Sequence, residues 1–553
     1  MALGSYFYGR PRSSQAVLYA VFLIVAVVVL STILTISFAW LHMWYSMLFG
    51  KKVDWDSLCT QLPSIDPPGK FSDASQFLSE SYKLESAELL GGAVRVPTES
   101  FDDMNPDPKK DKRFNIFKKL HSYLEESFPE VSKNLEHVNT YGLLYTLEGK
   151  NPDLEPIVLM AHQDVVPVER QTLDKWTHGA FSGYFDGQYI WGRGAHDTKS
   201  SLIAILEATE SLLSQDWQPE RTTLISFGFD EELDGSRGAK SLADVIRERY
   251  GAVYMIIDEG SGVEVMKGHT FAFVSVSEKG YTDINIRLDT PGGHSSAPPD
   301  HTGIGILSEL LAKLETSHIA NTEYYLNSDD IVAEMYSCVA KYGEDIGGNE
   351  RSKLVDVEYL RETLKSNRYE RPYISTTQAI DVINGGVKLN ALPEQVTAIV
   401  NHRIDVHETV AEVTDRIVEL AKAVAKEHQL GLNLNGKMLL TGESGTFDIT
   451  NGQSMEPAPI SPFSTDSEHW KLLVGTTKHA LGAWFDLTDV TVTPTLSVGN
   501  TDTWQYAGLT KNVYRYTVGT PNSGGHAHTV DEYISLESHL AALVWYYEMM
   551  QFF

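Results

Sequence analysis

Apolar stretches of strand length alternate with a stretch of helix length between residues 157 and 260, and the strand-like stretches end in acidic or imidazole side chains. The strand-like stretches are IVLMAHQDVV, TTLISFGF and VYMIIDEG, and SSLIAILEATESLL lies between the first two. This order predicts β–α–β units and therefore an α/β domain built on a largely parallel sheet. In such sheets, functional side chains gather at the carboxyl ends of the strands.

Two imidazoles and three carboxylates have the residue types and the order that a two-metal hydrolase requires: His162, Asp197, Glu232, Asp258 and His528. Zinc binds imidazole nitrogen and carboxylate oxygen at about 2.0–2.2 Å. Two ions about 3.5–4 Å apart act together in many hydrolases, and they need one shared ligand and further ligands of their own. Asp197, in the glycine-rich run GRGAHDTK, is the candidate for the shared ligand, and a helix N-cap role is compatible with it.

Two of these assignments have an alternative close by in the chain. In IIDEG either Asp258 or Glu259 can reach a metal, and in HAHTVDE either His526 or His528 can. The consecutive acids 230–232 point to the same chemistry, because carboxylates are costly to place together unless cations compensate their charge.

Asp164 lies two residues after His162 and therefore on the same face of the strand. A carboxylate in that place can accept a hydrogen bond from the ring nitrogen of His162 that faces away from the metal. Such a hydrogen bond fixes the orientation of a ligand ring. We expect Asp164 to serve the site in this way.

These sequence blocks, in this order, resemble the di-zinc exopeptidase and deacylase family that includes carboxypeptidase G, aminoacylase and acetylornithine deacetylase. The closest resemblance is to its fungal vacuolar carboxypeptidase S group, and it extends over about residues 70–553. The resemblance implies Glu231 as the general base. It also implies two Zn²⁺ ions bridged by Asp197, with two further ligands each: His162 and Asp258 for one ion, Glu232 and His528 for the other.

A second folded unit interrupts the first, because His528 follows Asp258 only after a long intervening segment. The expected domains are a catalytic domain of residues 71–279 and 446–553 and a smaller α+β lid domain of residues 280–445. The resemblance implies that His294 of the lid donates a hydrogen bond to the reacting oxygen. It also implies that Asn390 and Arg403 hold the carboxylate of the substrate, and it allows a homodimer through the lid.

The N-terminal region predicts a membrane anchor. After a tail of residues 1–15, residues 16–40 are almost wholly apolar, and 25 helical residues cover the roughly 30 Å core of a bilayer. The apolar core of a cleaved signal peptide is shorter, about 7–15 residues. We therefore expect one retained transmembrane helix and a proline-containing linker at 54–70. The resemblance places the catalytic part in the lumen of a vacuole.

Charge and cysteine content limit the partners and the covalent links. A formal net charge of −29 argues against a nucleic-acid partner, since phosphate binding needs a basic surface. Cys59 and Cys338 are the only cysteines, and two isolated thiols give no disulfide framework. They could pair in an oxidising compartment, but we expect them to be separate free thiols.

The predicted function is that of a zinc-dependent carboxypeptidase that hydrolyses the C-terminal peptide bond of short peptides of the Gly-X type. One alternative is hydrolysis or synthesis of N-acyl amino acids at the same metal site. A second alternative is a non-catalytic, membrane-tethered binding module. A complete ligand set together with Glu231 argues against that last alternative.

Overall fold

A computed structural model describes residues 53–69, 71–317 and 323–553. The chain divides into two units, Met1–Trp55 and Asp56–Phe553, and the second unit is described below. The predicted tail and transmembrane helix lie outside the described residues. Among the residues that are described, no helix is both long and apolar enough to cross a bilayer.

The first sheet has nine strands and confirms the α/β class. The strands are β1 (Leu135–Val138), β2 (Gly142–Leu147), β3 (Ile157–His162), β6 (Thr223–Gly228), β7 (Met255–Ser261), β8 (Val263–Met266), β9 (His269–Glu278), β18 (Val490–Ser497) and β19 (Val513–Tyr516). Their order is β1-β2-β6-β3-β7-β19-β9-β18, with β8 on β9. The pairs β3–β6, β3–β7, β7–β19 and β9–β18 are parallel. The pairs β1–β2, β2–β6, β8–β9 and β9–β19 are antiparallel, so the sheet is mixed and the expected largely parallel sheet is found only in part.

Helices cover this sheet, and the strands beneath them are apolar because both of their faces are buried. Every residue of β3 and β6 is buried, as expected where helices cover both faces of a sheet. The surrounding helices are Glu80–Val94, Phe117–Ser127, Ser200–Leu213, Ala239–Tyr250, Glu468–Trp484 and Leu536–Met550. The helix Ser200–Leu213 is buried on nearly all sides because it packs between β3 and the helix Leu536–Met550.

The residues expected to form the lid contain a second sheet with two helices on it, and we keep the name lid for this sheet and its helices. Its strands are β10 (Gly280–Asp289), β12 (Thr377–Gly385), β14 (Gln395–Ile404), β15 (Gly431–Leu434), β16 (Lys437–Leu440) and β17 (Thr446–Met455), in the order β12-β14-β10-β17-β15-β16. The helices Gly303–Thr316 and Val410–Glu427 bury their apolar faces against it. Because β17 pairs with β10, the lid sheet continues to Met455, ten residues beyond the expected boundary at 445.

A helical segment that was expected in the lid packs on the first sheet instead. It contains the helices Ile331–Tyr342, Gly348–Leu354 and Val357–Ser366. Thr495 of β18 contacts the sulfur of Met335 at 3.2 Å, and Lys267 forms an ion pair with Glu350 at 3.0 Å.

Cys59 and Cys338 form a disulfide, with their Cα atoms 5.0 Å apart, so the expectation of free thiols was wrong. Residues before the first helix run back along the helix Glu468–Trp484, where the main-chain N–H of Ile65 donates to the carbonyl of Gly475 at 3.1 Å. This path brings Cys59 to the helix Ile331–Tyr342. The partners are 279 residues apart in sequence, a separation at which local patterns carry no information about pairing.

Candidate active site

A small sheet brings the C-terminal region to the glycine-rich run around Asp197. Its strands are β4 (Tyr184–Phe185), β5 (Tyr189–Trp191), β20 (Gly524–Gly525) and β21 (Tyr533–Ser535), in the order β20-β21-β5-β4. Asp197 follows β5, and His528 lies in the loop between β20 and β21. The pairing of β5 with β21 therefore places both residues at the carboxyl end of β3, where His162 is buried.

The two imidazoles meet opposite oxygens of one carboxylate. His162 Nε2 lies 3.1 Å from Asp197 Oδ1, and His528 Nε2 lies 3.0 Å from Asp197 Oδ2. Neighbouring donor atoms of a tetrahedral zinc site with bonds of about 2.0–2.2 Å are roughly 3.3–3.6 Å apart. The observed distances of 3.1 and 3.0 Å are slightly shorter than this, and the arrangement is that of a carboxylate placed to bridge two cations, each with an imidazole of its own.

Each half of this arrangement has one further carboxylate. Glu232 Oε2 lies 3.4 Å from His528 Nε2, and Glu259 Oε1 lies 3.2 Å from His162 Nε2. We refer to these five side chains as the ligand cluster: His162, Asp197, Glu232, Glu259 and His528. The donor atoms of His162, Asp197 and Glu232 all lie within 4.8 Å of one another, as do those of His162, Glu231 and Glu259.

Glu259, and not the expected Asp258, reaches His162. Consecutive residues of a strand point to opposite faces, and β7 turns Glu259 towards the cluster. Asp258 is buried, and its Oδ2 has no hydrogen-bond partner among the described residues. Burial, and then the charge of Glu259, raises the pKa of Asp258 to about 7. The match to the motif of the resembled family therefore predicted Asp258, whereas the structure brings the adjacent residue Glu259 to the site.

At the second ambiguous position the structure brings the expected residue to the cluster. His528 contacts Asp197 and Glu232, whereas His526 donates from Nδ1 to the carbonyl of Val530 at 3.1 Å. The ring of His526 lies against that of Tyr533, with centroids 5.6 Å apart. His526 therefore helps to shape the loop that presents His528.

Asp164 supports both the His162 ring and the acidic turn that follows β6. His162 Nδ1 donates to the main-chain oxygen of Asp164 at 2.9 Å and lies 3.4 Å from Oδ1 of its carboxylate. This contact leaves Nε2 free to face the cluster. The same carboxylate accepts the main-chain N–H groups of Glu231 and Glu232 at 3.1 and 3.2 Å. Asp164 therefore sets the positions of His162, Glu231 and Glu232 together.

The electrostatics of the cluster favour cations. Burial raises the pKa of Glu231 well above its ordinary value and that of Glu232 to about 6. Hydrogen bonds to Asp197 and Glu232 raise the pKa of His528 to about 10. Oε1 of Glu232 is buried without a hydrogen-bond partner in the described part of the chain. This orphaned oxygen and the excess of carboxylates over imidazoles fit a site that binds two divalent cations.

Two adjoining cavities open beside the ligand cluster, with volumes of about 300 and 480 Å³. We call the two cavities together the substrate cleft. Five residues line both of them: Glu231, Glu232, Arg403, Asn500 and Thr501. Arg403 reaches the cleft from β14 of the lid. Its guanidinium lies over the ring of Tyr281, 4.8 Å from the centroid, and its Nη1 donates to Asn500 Oδ1 at 2.6 Å.

The other two expected lid residues lie away from the cleft. His294 lies in an exposed ribbon formed by β11 (Gly293–His294) and β13 (Ala391–Leu392), and the exposed Asn390 directly precedes β13. His294 Nδ1 contacts Ser296 Oγ at 2.7 Å, and the carbonyl of Asn390 accepts the N–H of Ser295 at 3.3 Å. Neither residue is among those that line the cleft.

The sequence argument used Glu532 only as a marker for His528 and gave no role to its side chain, which is fully buried. Its Oε2 pairs with Arg193 Nη1 at 2.6 Å, and its Oε1 accepts the main-chain N–H groups of Gly194, His196 and Asp197 at 3.0–3.1 Å. Glu532 thus holds the loop that presents Asp197. The motif HTVDE contains the residue, but nothing local to that motif indicates a partner 335 positions away.

Comparison with known proteins identifies the class. Residues 158–551 match the sequence model of Peptidase family M20/M25/M40, and the chain belongs to this family. Over 511 residues it is 40% identical to carboxypeptidase S of Saccharomyces cerevisiae, covering 89% of this chain and 88% of that protein. It is 30% identical to the mouse N-fatty-acyl-amino acid synthase/hydrolase PM20D1, covering 86% of this chain and 89% of that protein. The predicted resemblance and the predicted class of metal-dependent peptidase are confirmed.

Solved structures agree on the fold. An M20 family metallo-carboxypeptidase from Sulfolobus solfataricus superposes with a TM-score of 0.58 at 19% identity, covering 84% of this chain and 98% of that one. Human carnosine dipeptidase 1 superposes with a TM-score of 0.57 at 15% identity, covering 88% and 100%. A dinuclear metal-binding M20 peptidase of Bacillus subtilis superposes with a TM-score of 0.51 at 12% identity, covering 86% of this chain and 99% of that one.

Proposed function

We propose that the chain is a di-zinc carboxypeptidase that removes the C-terminal residue of short peptides. One observation carries the proposal: His162 and His528 meet opposite oxygens of Asp197, and a lid guanidinium, Arg403, lies in the same cleft. Imidazole and carboxylate donors in this proportion suit zinc. His162 and Glu259 would hold one ion and Glu232 and His528 the other, with Asp197 between them.

When bound, two zinc ions would activate a water and stabilise negative charge on the carbonyl oxygen of the substrate. Glu231 lies in the cleft beside the ligand cluster, and burial raises the pKa of its carboxyl group, which makes its carboxylate a stronger base once cations offset the charge of the site. It takes the proton of the attacking water and passes it to the leaving amine, as a general base and then a general acid. Asp164 keeps Glu231 in place through its main-chain N–H.

Arg403 supplies selectivity for the chain terminus. A planar guanidinium donates two parallel hydrogen bonds to a carboxylate, so a free C-terminal carboxylate is the group that it binds best. His294 lies in the exposed ribbon and Asn390 directly beside it, and they act on a substrate only if the lid moves or a second copy supplies them. Val387 and Leu389 near this ribbon are fully exposed, which supports a homodimer through the lid.

A specific observation also favours N-acyl amino acids as substrates. A further cavity of about 550 Å³ shares His196, Gly260, Thr517 and Ala527 with the substrate cleft. Its walls include the apolar side chains of Val263, Val265, Val518 and Ile534. This space can take an acyl group larger than that of a glycyl peptide, and the relative PM20D1 is a synthase/hydrolase of N-fatty-acyl amino acids.

We propose a lumenal location for the catalytic part, anchored by residues 16–40. The Cys59–Cys338 disulfide supports it, because disulfides persist in oxidising compartments and are rare in the cytosol. Protease treatment of intact vacuoles or microsomes checks the orientation. Digestion of the catalytic part without detergent would contradict a lumenal location.

A substrate panel tests the proposed function. Gly-X dipeptides and N-acyl amino acids are compared as substrates, before and after removal of metal by a chelator and after return of zinc. We expect hydrolysis that chelation abolishes and zinc restores. Hydrolysis that survives complete removal of metal, or binding of both substrate types without turnover, would reject a metallo-carboxypeptidase.

A further inference from the structure

Asn500 joins the lid to the catalytic domain at the point where Arg403 enters the substrate cleft. Its Oδ1 accepts a hydrogen bond from Arg403 Nη1 at 2.6 Å, and its Nδ2 donates to the main-chain oxygen of Lys279 at 2.6 Å. Lys279 lies between β9 of the catalytic domain and β10 of the lid. One side chain thus contacts both the guanidinium that lies in the cleft and the chain crossing between the domains.

The loop that carries Asn500 is fixed to the catalytic domain. The N–H of Thr501 donates to Glu278 Oε2 at 3.1 Å, and this carboxylate pairs with Arg515 Nε at 3.1 Å. Glu278 and Arg515 are almost fully buried. Lys279 is anchored as well, because its Nζ donates to the carbonyls of Pro372 and Ser375 at 3.0 and 2.6 Å. Asn500 is therefore a fixed point against which the lid residue Arg403 is oriented.

The bond to Asn500 leaves most of the guanidinium available. Among the described residues, Nη1 is the only guanidinium nitrogen of Arg403 that has a hydrogen-bond partner. The ring of Tyr281 supports the group from one side. The remaining N–H donors are oriented but unused, which is the state that a carboxylate ligand requires.

We propose that Asn500 is a positioning residue that holds the Arg403 guanidinium ready for the terminal carboxylate of the substrate. This inference rests on the proposed carboxypeptidase function and adds a second residue to its carboxylate site. A neutral amide suits the role because it accepts from Arg403 without neutralising it. A carboxylate at position 500 would form an ion pair with Arg403 and compete with the substrate.

Two substitutions separate positioning from a structural role. Asn500→Ala leaves Arg403 without its fixed partner, so we expect KM for Gly-Leu to rise about tenfold, with kcat within about threefold of wild type. Asn500→Asp keeps the shape but adds a competing charge, so KM should rise further, and added salt should reduce the difference. Neither variant should change KM for Gly-Leu-amide, which has no carboxylate. In Arg403→Ala, the further change Asn500→Ala should add little.

Asn451→Ala is the matched control. This lid residue donates to Thr414 Oγ1 at 2.8 Å and does not line the cleft, so its kinetics should match wild type. Equal losses of both substrates in Asn500→Ala, or unchanged KM for Gly-Leu in Asn500→Asp, would overturn the positioning role. Failure of the wild-type protein to hydrolyse Gly-Leu would instead reject the proposed function. Zinc content and the unfolding midpoint of each variant show whether it has folded.

Discussion

Glu532 accepts the main-chain N–H of Asp197 at 3.1 Å, although 335 residues separate them. The carboxylate is fully buried, and its other oxygen pairs with Arg193. A residue that is not a candidate metal ligand therefore fixes the carboxylate on which both halves of the ligand cluster converge. The geometry of the cluster depends on contacts behind it as much as on the donor atoms themselves.

Glu532→Gln should destabilise the protein and weaken its metal binding. The substitution leaves the buried charge of Arg193 without its partner, and breaking a buried ion pair costs about 3–5 kcal/mol. Denaturant unfolding and a zinc titration measure the two effects. Glu537→Gln, at an exposed position five residues later, is the control. Wild-type values for both quantities in Glu532→Gln would contradict the assigned role.

Glu231→Gln should lose turnover and keep its metal. An amide has the shape of the carboxylate but cannot accept the proton of the water, and general-base catalysis contributes about 100–10,000-fold. Steady-state hydrolysis of Gly-Leu and elemental analysis are the measurements. Activity within a few-fold of wild type would show that another residue is the base.

Glu259→Gln and Asp258→Asn distinguish the two adjacent candidates for the metal ligand. Glu259 faces His162, so its amide should lower the zinc content from two ions towards one. Asp258 lies on the other face of β7, and its amide should keep both ions. Metal analysis after dialysis decides between them. Loss of metal only in Asp258→Asn would show that Asp258 is the metal ligand, as the sequence motif predicted.

Arg403→Ala should damage the hydrolysis of free-acid substrates much more than that of their C-terminal amides. Hydrogen bonds to charged groups contribute about 1.5–3 kcal/mol, so kcat/KM for Gly-Leu should fall by about 10- to 150-fold. His294→Ala tests whether the exposed ribbon reaches the substrate: a donor to the reacting oxygen serves the transition state that both substrate types share, so slower hydrolysis of both would show that His294 reaches the site. Zinc content should stay at the wild-type level in both variants. Equal losses of acid and amide in Arg403→Ala would reject carboxylate binding.

The double variant Cys59→Ser, Cys338→Ser should fold with lower stability. The disulfide closes a loop of 279 residues, and removal of a native disulfide costs about 2–5 kcal/mol. Reductant should lower the unfolding midpoint of the wild-type protein and leave that of the variant unchanged. Midpoints that do not respond to reductant in either protein would show that the thiols are free.

Much of the fold and most of the candidate site follow from local sequence. Alternating apolar stretches predict the β–α–β units because strand and helix periodicities are properties of neighbouring residues. His162 ends β3, and Glu231 and Glu232 follow the parallel strand β6 at the same edge of the first sheet. The structure brings Asp197 and His528 to the same edge, and their role as metal ligands stays a prediction.

Other features depend on which segments meet in the folded chain. The lid sheet includes β17 because that strand pairs with β10, and the Cys59–Cys338 disulfide depends on a path that joins distant segments. The pleat of β7 directs Glu259, and not the adjacent Asp258, towards His162. The amino-acid sequence of this motif alone does not show which of the two acids points to the site. Glu532 and Asn500 act through partners more than 90 residues away. Sequence determined which residue types could form the site, and tertiary packing decided which of them meet, because side-chain direction and long-range pairing are fixed only when the sheets assemble.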